Sequence, residues 1–113
     1  MAADRADLPK GTLELLILST LATEPMHGWG ITQRIEQLSR RVLLVNQGSL
    51  YPALERLIRK GAIRDAWRTT ENNRRARYYE LTEDGRKELA IARGEWERSC
   101  RAVHWVLDQV EAT

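Results

Sequence analysis

The sequence predicts a mostly α-helical chain with one small β-hairpin and a long helix at its C-terminal end. Three observations predict this fold class. Apolar residues recur every three or four positions in three segments before residue 60, as in helices with one buried face. Two strand-like segments follow, separated by a polar, basic loop. Another apolar stripe then repeats at helical spacing over about six turns.

The first two helices are predicted from their apolar faces. The first follows Gly11 and Thr12, and its leucines and isoleucines lie on most sides, which is typical of a central core helix. Pro25 ends it because proline cannot continue a helical turn. The second helix has one apolar face and ends near residues 39–40. Residues 42–45 are apolar but too few for a helix, so they predict a brief strand.

A third helix is expected to begin around Gly48. Asn46 or Ser49 can cap its first turn, and Pro52 fits only in or near that turn. Gly61 is the expected C-terminal cap. Projected at about 100° per residue, one side of this helix is apolar. The other side carries small residues near its start and cations toward its end: Ser49, Pro52, Arg56, Arg59 and Lys60.

The hairpin is predicted from residues 62–68 and 77–81, with Ile63 and Trp67 on the same face of the first strand. Residues 69–76 form its loop, and the turn-prone pair Asn72–Asn73 lies at the tip.

Thr82 is the expected N-cap of the last helix, whose first turn contains Glu83 and Asp84. Gly85 and Gly94 are expected to weaken this helix slightly. Its apolar stripe consists of Leu89, Ala92, Trp96, Cys100, Val103, Leu107 and Val110.

This order of elements is that of a winged helix-turn-helix followed by a long extra helix. We therefore expect an N-terminal arm over residues 1–10, a winged-helix domain over residues 11–81 and a dimerisation helix over residues 82–113. The second and third helices form the helix-turn-helix, and the third is offered to the DNA major groove.

The charge distribution favours a polyanionic partner. The formal net charge is +2, yet residues 34–79 alone carry a net +7 while both flanking regions are negative. A cationic third helix beside a loop rich in arginine is the pattern expected for double-stranded DNA. The predicted DNA-binding residues are Asn46, Gln47, Ser49, Tyr51, Pro52, Arg56, Lys60, Arg74, Arg75 and Arg77. The alternative is a winged helix that binds another protein and not DNA.

The stripe on the last helix predicts a homodimer, because a domain this small has nothing else to cover it. Two-fold symmetry would then separate two third helices by about 34 Å or a multiple of that distance. Trp96 is expected to be interface core. Its alternative role is to line a pocket for a small planar aromatic effector.

Other classes of function are not expected. Cys100 and His104 are spaced for a metal, but two ligands do not make a closed zinc site, so no cofactor or metal is predicted. His27 is expected to be a turn residue. No paired acid and base or glycine-rich phosphate loop suggests an enzyme. The single cysteine, and the lack of an apolar leader or a membrane-length run, predict a cytoplasmic protein.

Several segments together resemble the PadR family of transcriptional regulators, in register from about residue 8 to 90: LPKGTL at 8–13, MHGWGI at 26–31, QGSLYPALERL at 47–57, KGAI at 60–63, Trp67 and RYYELT at 77–82. Residues 71–76 (ENNRRA) and the helix after them resemble its short, acidobacterial-type subgroup. The resemblance implies a repressor that dimerises through its C-terminal helix and contacts a palindromic operator through the third helix and the wing.

The sequence departs from the family pattern at two points. Trp29 stands where the family commonly has Tyr, and we expect it to keep an aromatic packing role. Larger relatives carry several C-terminal helices, whereas one is predicted in this chain, which leaves less room for a dedicated ligand domain.

Overall fold

The computed structural model describes residues 6–7 and 11–112. It confirms the predicted fold class, a mostly helical chain with a hairpin and a long last helix. In this part of the chain the elements are β1 (Ala6–Asp7), α1 (Thr12–Leu21), β2 (Met26–His27), α2 (Gly28–Leu38), β3 (Leu43–Leu44), α3 (Gln47–Arg59), β4 (Ile63–Thr69), β5 (Arg75–Leu81) and α4 (Glu83–Ala112).

The core forms where α1, α2, α3 and the base of the hairpin meet. As predicted, α1 is central, and it packs against α2, α3, β5 and α4. The largest fully buried side chains are aliphatic except for one tyrosine: Ile17, Leu18, Ile31, Leu50, Leu54, Leu57, Ile63 and Tyr79. Their burial is the main stabilising term of the domain, because each removes a large apolar side chain from water.

The C-terminal end of α3 is closed by Gly61, as predicted. Gly61 has φ +77°, a left-handed conformation that glycine adopts without steric cost. Its N–H donates to the Ile58 carbonyl at 2.9 Å, and the Ala62 N–H donates to the Leu57 carbonyl at 3.0 Å. These two bonds make a Schellman motif, which turns the chain sharply into β4.

The hairpin belongs to a three-stranded antiparallel sheet in the order β2-β5-β4. The register of β4 and β5 runs from Ile63 opposite Leu81 to Thr69 opposite Arg75. The prediction placed Arg75 in the loop, and this was wrong: β5 begins at Arg75. The ladder extends to the pair Thr69 and Arg75 because strand pairing uses backbone groups and does not require apolar side chains. β2, which pairs Met26 with Tyr79, was not predicted, since two residues show no periodicity.

A second, smaller ladder joins β1 to β3 in parallel, with Ala6 opposite Leu43 and Asp7 opposite Leu44. The strand predicted over residues 42–45 is therefore confirmed at Leu43–Leu44. Two residues of the predicted N-terminal arm form β1, and the rest of that arm lies outside the described residues.

Helix α4 begins as predicted, because the Thr82 hydroxyl accepts a hydrogen bond from the Gly85 N–H at 3.0 Å. Gly85, however, has a role that its low helix propensity did not suggest. A Cβ at this position would overlap the Ala62 carbonyl oxygen and lie 2.7 Å from Leu81 Cδ1. The start of α4 thus crosses the backbone after α3 at a distance that only glycine allows.

Helix α4 has 30 residues and is about 45 Å long at 1.5 Å per residue. Its first half packs along α1, and Leu89 contacts the core. From residue 101 to 111 every residue is exposed. No helix within the described residues is long and apolar enough to cross a membrane.

Candidate nucleic-acid interface

Helix α3 has one buried face and one exposed face. Leu50, Ala53, Leu54 and Leu57 are at most 1% exposed and hold the helix against the core. The predicted DNA-binding residues on its N-terminal half are all exposed: Asn46, Gln47, Ser49, Tyr51 and Pro52. The rigid packing of the inner face therefore fixes the orientation of a polar, solvent-facing surface.

The start of α3 is held by two side chains from that surface. Asn46, one of the two predicted caps, accepts a hydrogen bond from the Gly48 N–H at 2.7 Å through Oδ1. The Gln47 side-chain amide donates to the Thr32 hydroxyl of α2 at 3.0 Å. Gln47 consequently joins the two helices of the helix-turn-helix, a positioning role that the sequence did not predict.

Pro52 is the sixth residue of α3, which begins at Gln47, so it lies near the first turn, as predicted. Because proline has no N–H, the Gly48 carbonyl lacks its usual helical donor. Gly48 is exposed, so this carbonyl can accept a hydrogen bond from solvent or from a partner.

Tyr51 packs against the start of α2. A Cβ at Gly28 would lie 2.7 Å from the Tyr51 hydroxyl oxygen, so glycine is needed for this contact. Next to it, His27 caps α2 by accepting the Gly30 N–H at Nδ1 (3.0 Å), and its ring meets that of Tyr78 edge-on. His27 is thus a capping residue at the predicted turn.

The wing consists of β4, β5 and the turn between them. Residues 70–74 form this turn, which closes with a hydrogen bond from the Asn73 N–H to the Thr70 carbonyl at 2.9 Å. Asn73 has φ +61°, a conformation that asparagine tolerates better than most residues. The predicted turn-prone pair is therefore at the tip, and Arg74 is exposed beside it.

Arg77 ties the wing to α3. Its guanidinium contacts Asp65 of β4 at 2.8 Å and Glu55 of α3 at 3.3 Å. The hydrogen bond to Asp65 raises the pKa of Arg77 further, in spite of partial burial. Arg77 was predicted to contact DNA, but its charge is engaged by two carboxylates, so we assign it to positioning the wing.

Arg56 and Lys60 also have carboxylate partners. Both contact Glu14 of α1, at 3.1 Å and 3.2 Å. Burial alone would raise the pKa of Glu14, but the hydrogen bonds from Arg56 and Lys60 outweigh it and lower that pKa. The two cations were predicted to face phosphate, yet in this structure they brace α3 against α1.

Replacing Glu14 with Gln is expected to reduce the acid sensitivity of the protein. Since the pKa of Glu14 is lowered in the folded state, its stabilising contribution is present above the ordinary value of 4.5 and is lost as the pH falls through the folded value. For a surface cluster this contribution is about 0–1 kcal/mol. Urea unfolding at pH 7 and pH 3 measures it. An unchanged difference between the two pH values in Glu14→Gln would contradict the assignment.

The stripe on α4 is half-covered at its start and open at its end. Ala92 and Cys100 are half-buried, whereas Trp96, Val103, Leu107 and Val110 are 42–67% exposed. Trp96 lies at a groove of about 360 Å³ between α1 and α4, which Leu15, Leu18 and Ser99 also line. The described residues contain no group of three or more metal-ligating side chains.

Comparison with known proteins decides the family. Residues 17–91, well over half of the chain, match the sequence profile of the transcriptional regulator PadR-like family. The chain belongs to this family. A transcriptional regulator from Clostridium thermocellum has a similar structure, with a TM-score of 0.77 at 26% identity, over 84% of this chain and 92% of that one.

Two further proteins are similar to this chain. A PadR family transcription regulator from hypervirulent Clostridium difficile has a TM-score of 0.72 at 27% identity, over 86% of this chain and 99% of that one. An uncharacterised protein of Lysinibacillus sphaericus is 25% identical over 92 residues, which are 81% of this chain and 84% of that protein. The predicted resemblance to the PadR family is confirmed, whereas the acidobacterial-type subgroup stays a prediction.

The family assignment indicates the kind of function that this site serves. Members of the PadR family are transcriptional regulators that bind DNA and are not enzymes. In this PadR-like chain the helix-turn-helix and the wing form one continuous surface, made by α3, the start of α2 and the hairpin.

Sequence reasoning missed several residues of that surface. Trp29 was expected to pack, but it is 58% exposed. Trp67 shares a strand face with Ile63, as expected, but Ile63 is buried whereas Trp67 is 58% exposed, because the hairpin extends beyond the core. The sequence indicated a binding surface through the positive charge of the wing, but nothing in it indicated that these two tryptophans are exposed.

Proposed function

We propose that this PadR-like regulator binds duplex DNA as a homodimer and represses transcription from a palindromic operator. The observation that carries the proposal is the exposed, polar N-terminal half of α3, held rigidly beside a basic wing. In helix-turn-helix proteins such a helix enters the major groove, and the polar groups at its start meet base edges. A transcriptional regulator acts where the DNA is, so we propose a cytoplasmic location.

The reading surface that we propose consists of Asn46, Gln47, Ser49, Tyr51 and Pro52 on α3, with Arg74 and Arg75 on the wing. Ser49 is exposed and close to the helix start, so its hydroxyl is the side-chain group best placed to meet a base edge. Arg56 and Lys60 are half-exposed at the other end of α3, and they can reach phosphate only by leaving Glu14.

The proposed dimer interface is the stripe on α4. Two of its distal residues, Val103 and Leu107, are 56% and 49% exposed, and burying such side chains fully stabilises by about 1.5–3 kcal/mol each. The partner's α4 would lie along this stripe and reach the groove between α1 and α4. The same symmetry would set two α3 helices about 34 Å apart, or a multiple of that.

Trp96 supports a second, weaker proposal, a small planar aromatic effector at the groove between α1 and α4. The side chains around it include Glu14, Glu88 and Glu95, so the groove favours a neutral or cationic compound over an anionic one. Titration with planar dyes tests this proposal. If Trp fluorescence shows no saturable quenching, Trp96 is interface core only.

Selection of bound duplexes from a random pool tests the main proposal. We expect enrichment of two inverted half-sites whose centres lie about 10 bp apart or a multiple of that. Light scattering should give twice the 13.0 kDa chain mass. The double substitution Val103→Glu and Leu107→Glu should give monomers that keep helical circular dichroism and lose the paired site.

Two results would overturn the main proposal. A monomeric parent protein would remove the dimer, and a pool without enrichment would favour the alternative of a winged helix that binds another protein.

A further inference from the structure

A groove of about 540 Å³ runs between the wing and the start of α2 and α3, which we name the wing groove. Four aromatic side chains line it: Trp29, Tyr51, Trp67 and Tyr79. Arg74, Arg75 and Arg77 line it as well. It lies on the surface proposed to bind DNA, so the inference drawn from it rests on that proposed function.

Arg74 and Arg75 give the wing groove its positive charge, since Arg77 is already paired with Asp65 and Glu55, which lie outside its lining. No aspartate or glutamate is among the described residues that line it. The groove between α1 and α4 is the opposite, since the described residues that line it include Glu14, Glu88 and Glu95 but a single lysine. Charge therefore selects the wing groove for an anionic partner.

Two tryptophans of the wing groove are largely exposed. Trp29 and Trp67 are each 58% exposed, although the elements that carry them, α2 and β4, also contribute residues to the buried core. Large apolar side chains left in water beside one another mark a binding surface. Their flat rings can pack against the C–H groups of the sugars that lie between the phosphates of a nucleic-acid strand.

Trp67 also orients an arginine of the groove. The guanidinium carbon of Arg75 lies 5.7 Å from the centre of the Trp67 ring, within the range of a cation–π contact. In the β4–β5 ladder Trp67 lies opposite Arg77, and Arg75 lies opposite Thr69. The ladder therefore fixes the backbones of both Trp67 and Arg75. Arg75 is thus held toward the groove before any ligand binds.

We propose that the wing groove holds one sugar–phosphate strand of the duplex. Trp29 and Trp67 pack against its sugars from opposite walls, Arg74 and Arg75 contact its phosphates, and Trp67 doubles as a positioning residue for Arg75. The tryptophans are then DNA-contact residues, an assignment that goes beyond the third helix and the wing arginines.

Alanine substitution of each tryptophan tests the proposal, with labelled duplex and anisotropy as the readout. Trp67→Ala and Trp29→Ala should each lower DNA affinity about tenfold, since each removes a large apolar side chain that the bound strand would cover. Trp105→Ala is the matched control, because Trp105 is 64% exposed on α4 and far from the groove in the chain. Trp67→Phe should keep affinity within about threefold, because phenylalanine retains a ring under Arg75.

Intrinsic fluorescence supplies a readout that an indirect structural effect would not move. Saturating duplex should quench the tryptophan fluorescence of the parent protein. The loss of fluorescence should be smaller in Trp67→Phe and in Trp29→Phe, and unchanged in Trp105→Phe.

If the parent binds DNA but both alanine variants bind like Trp105→Ala, the inference is wrong and the proposed function stands. If salicylate quenches Trp29 and Trp67 saturably while DNA does not, the groove is a small-anion site instead. If the parent binds no duplex at all, both proposals fall.

Discussion

Raising monovalent salt from about 50 to 200 mM is expected to lower the affinity of the dimer for duplex DNA by about 10³–10⁵-fold. This follows if the dimer makes about 6–10 phosphate contacts, because each contact releases condensed counterions from the DNA. Residues 34–79 carry a net +7, and the described residues that line the wing groove include Arg74 and Arg75 but no carboxylate, so cations are available for such contacts.

Single substitutions should distinguish residues that contact phosphate from residues that contact bases. Arg75→Ala should weaken binding to every sequence and flatten the slope of log affinity against log salt by about two units, because the homodimer loses one phosphate contact in each protomer. Ser49→Ala should leave the slope unchanged and relax sequence preference. Gln47→Ala should do the same and also loosen α2 from α3, since its amide donates to Thr32.

Anisotropy titrations at four salt concentrations, on selected and on random duplexes, measure these effects. Arg93→Ala is a suitable control because Arg93 is an exposed α4 residue paired with Glu97. If Arg75→Ala and Ser49→Ala change both slope and preference equally, the division between phosphate and base contacts is wrong.

Gly85→Ala is expected to cost about 3 kcal/mol of unfolding free energy, at the upper end for an overpacked site. The added Cβ would overlap the Ala62 carbonyl oxygen, and that oxygen cannot move freely because the Thr82 N–H donates to it at 3.0 Å. The Thr82 hydroxyl lies at 3.0 Å from the same oxygen. Either this junction breaks or α4 shifts away from the winged helix.

Gly94→Ala is the matched control on the same helix. A Cβ there would meet only the end of the Arg98 side chain, at 3.8 Å, and Gly94 projects to the side of α4 opposite the stripe. It should stabilise by about 0.5–1 kcal/mol, the ordinary gain in helix propensity. Thermal unfolding at one protein concentration measures both, with Gly85→Ala melting lower by roughly 10 °C or more. A Gly85→Ala protein as stable as the parent would show that the crossing is not tight.

Local signals account for the elements that could be predicted. The cap at Asn46, the turn at Asn72–Asn73 and the Schellman glycine Gly61 depend on residues within a few positions of one another. Periodicity located four helices for the same reason, since one face of a helix repeats within a turn or two. The start of β5 was predicted less accurately, because ladder pairing continues past the last patterned residue.

Long-range contacts account for what could not be predicted in the site. Arg56, Lys60 and Arg77 were counted as free cations, but their partners Glu14, Glu55 and Asp65 lie 12 to 46 residues away in the chain. No local pattern distinguishes an arginine that faces solvent from one that a distant carboxylate holds. For the same reason Gly85 looked like a weak helix position, whereas its neighbour across the junction is Ala62.

The amino-acid sequence by itself determined the order of helices and strands, the family and the concentration of positive charge in the middle of the chain. Those properties depend on composition, on short spacings and on motifs read in register. Only the tertiary structure decided which cations remain available, that Trp29 and Trp67 are exposed in one groove, and that the third residue of α4, Gly85, has room only for a glycine. These depend on distances between residues far apart in the chain, which folding creates by packing the apolar faces together.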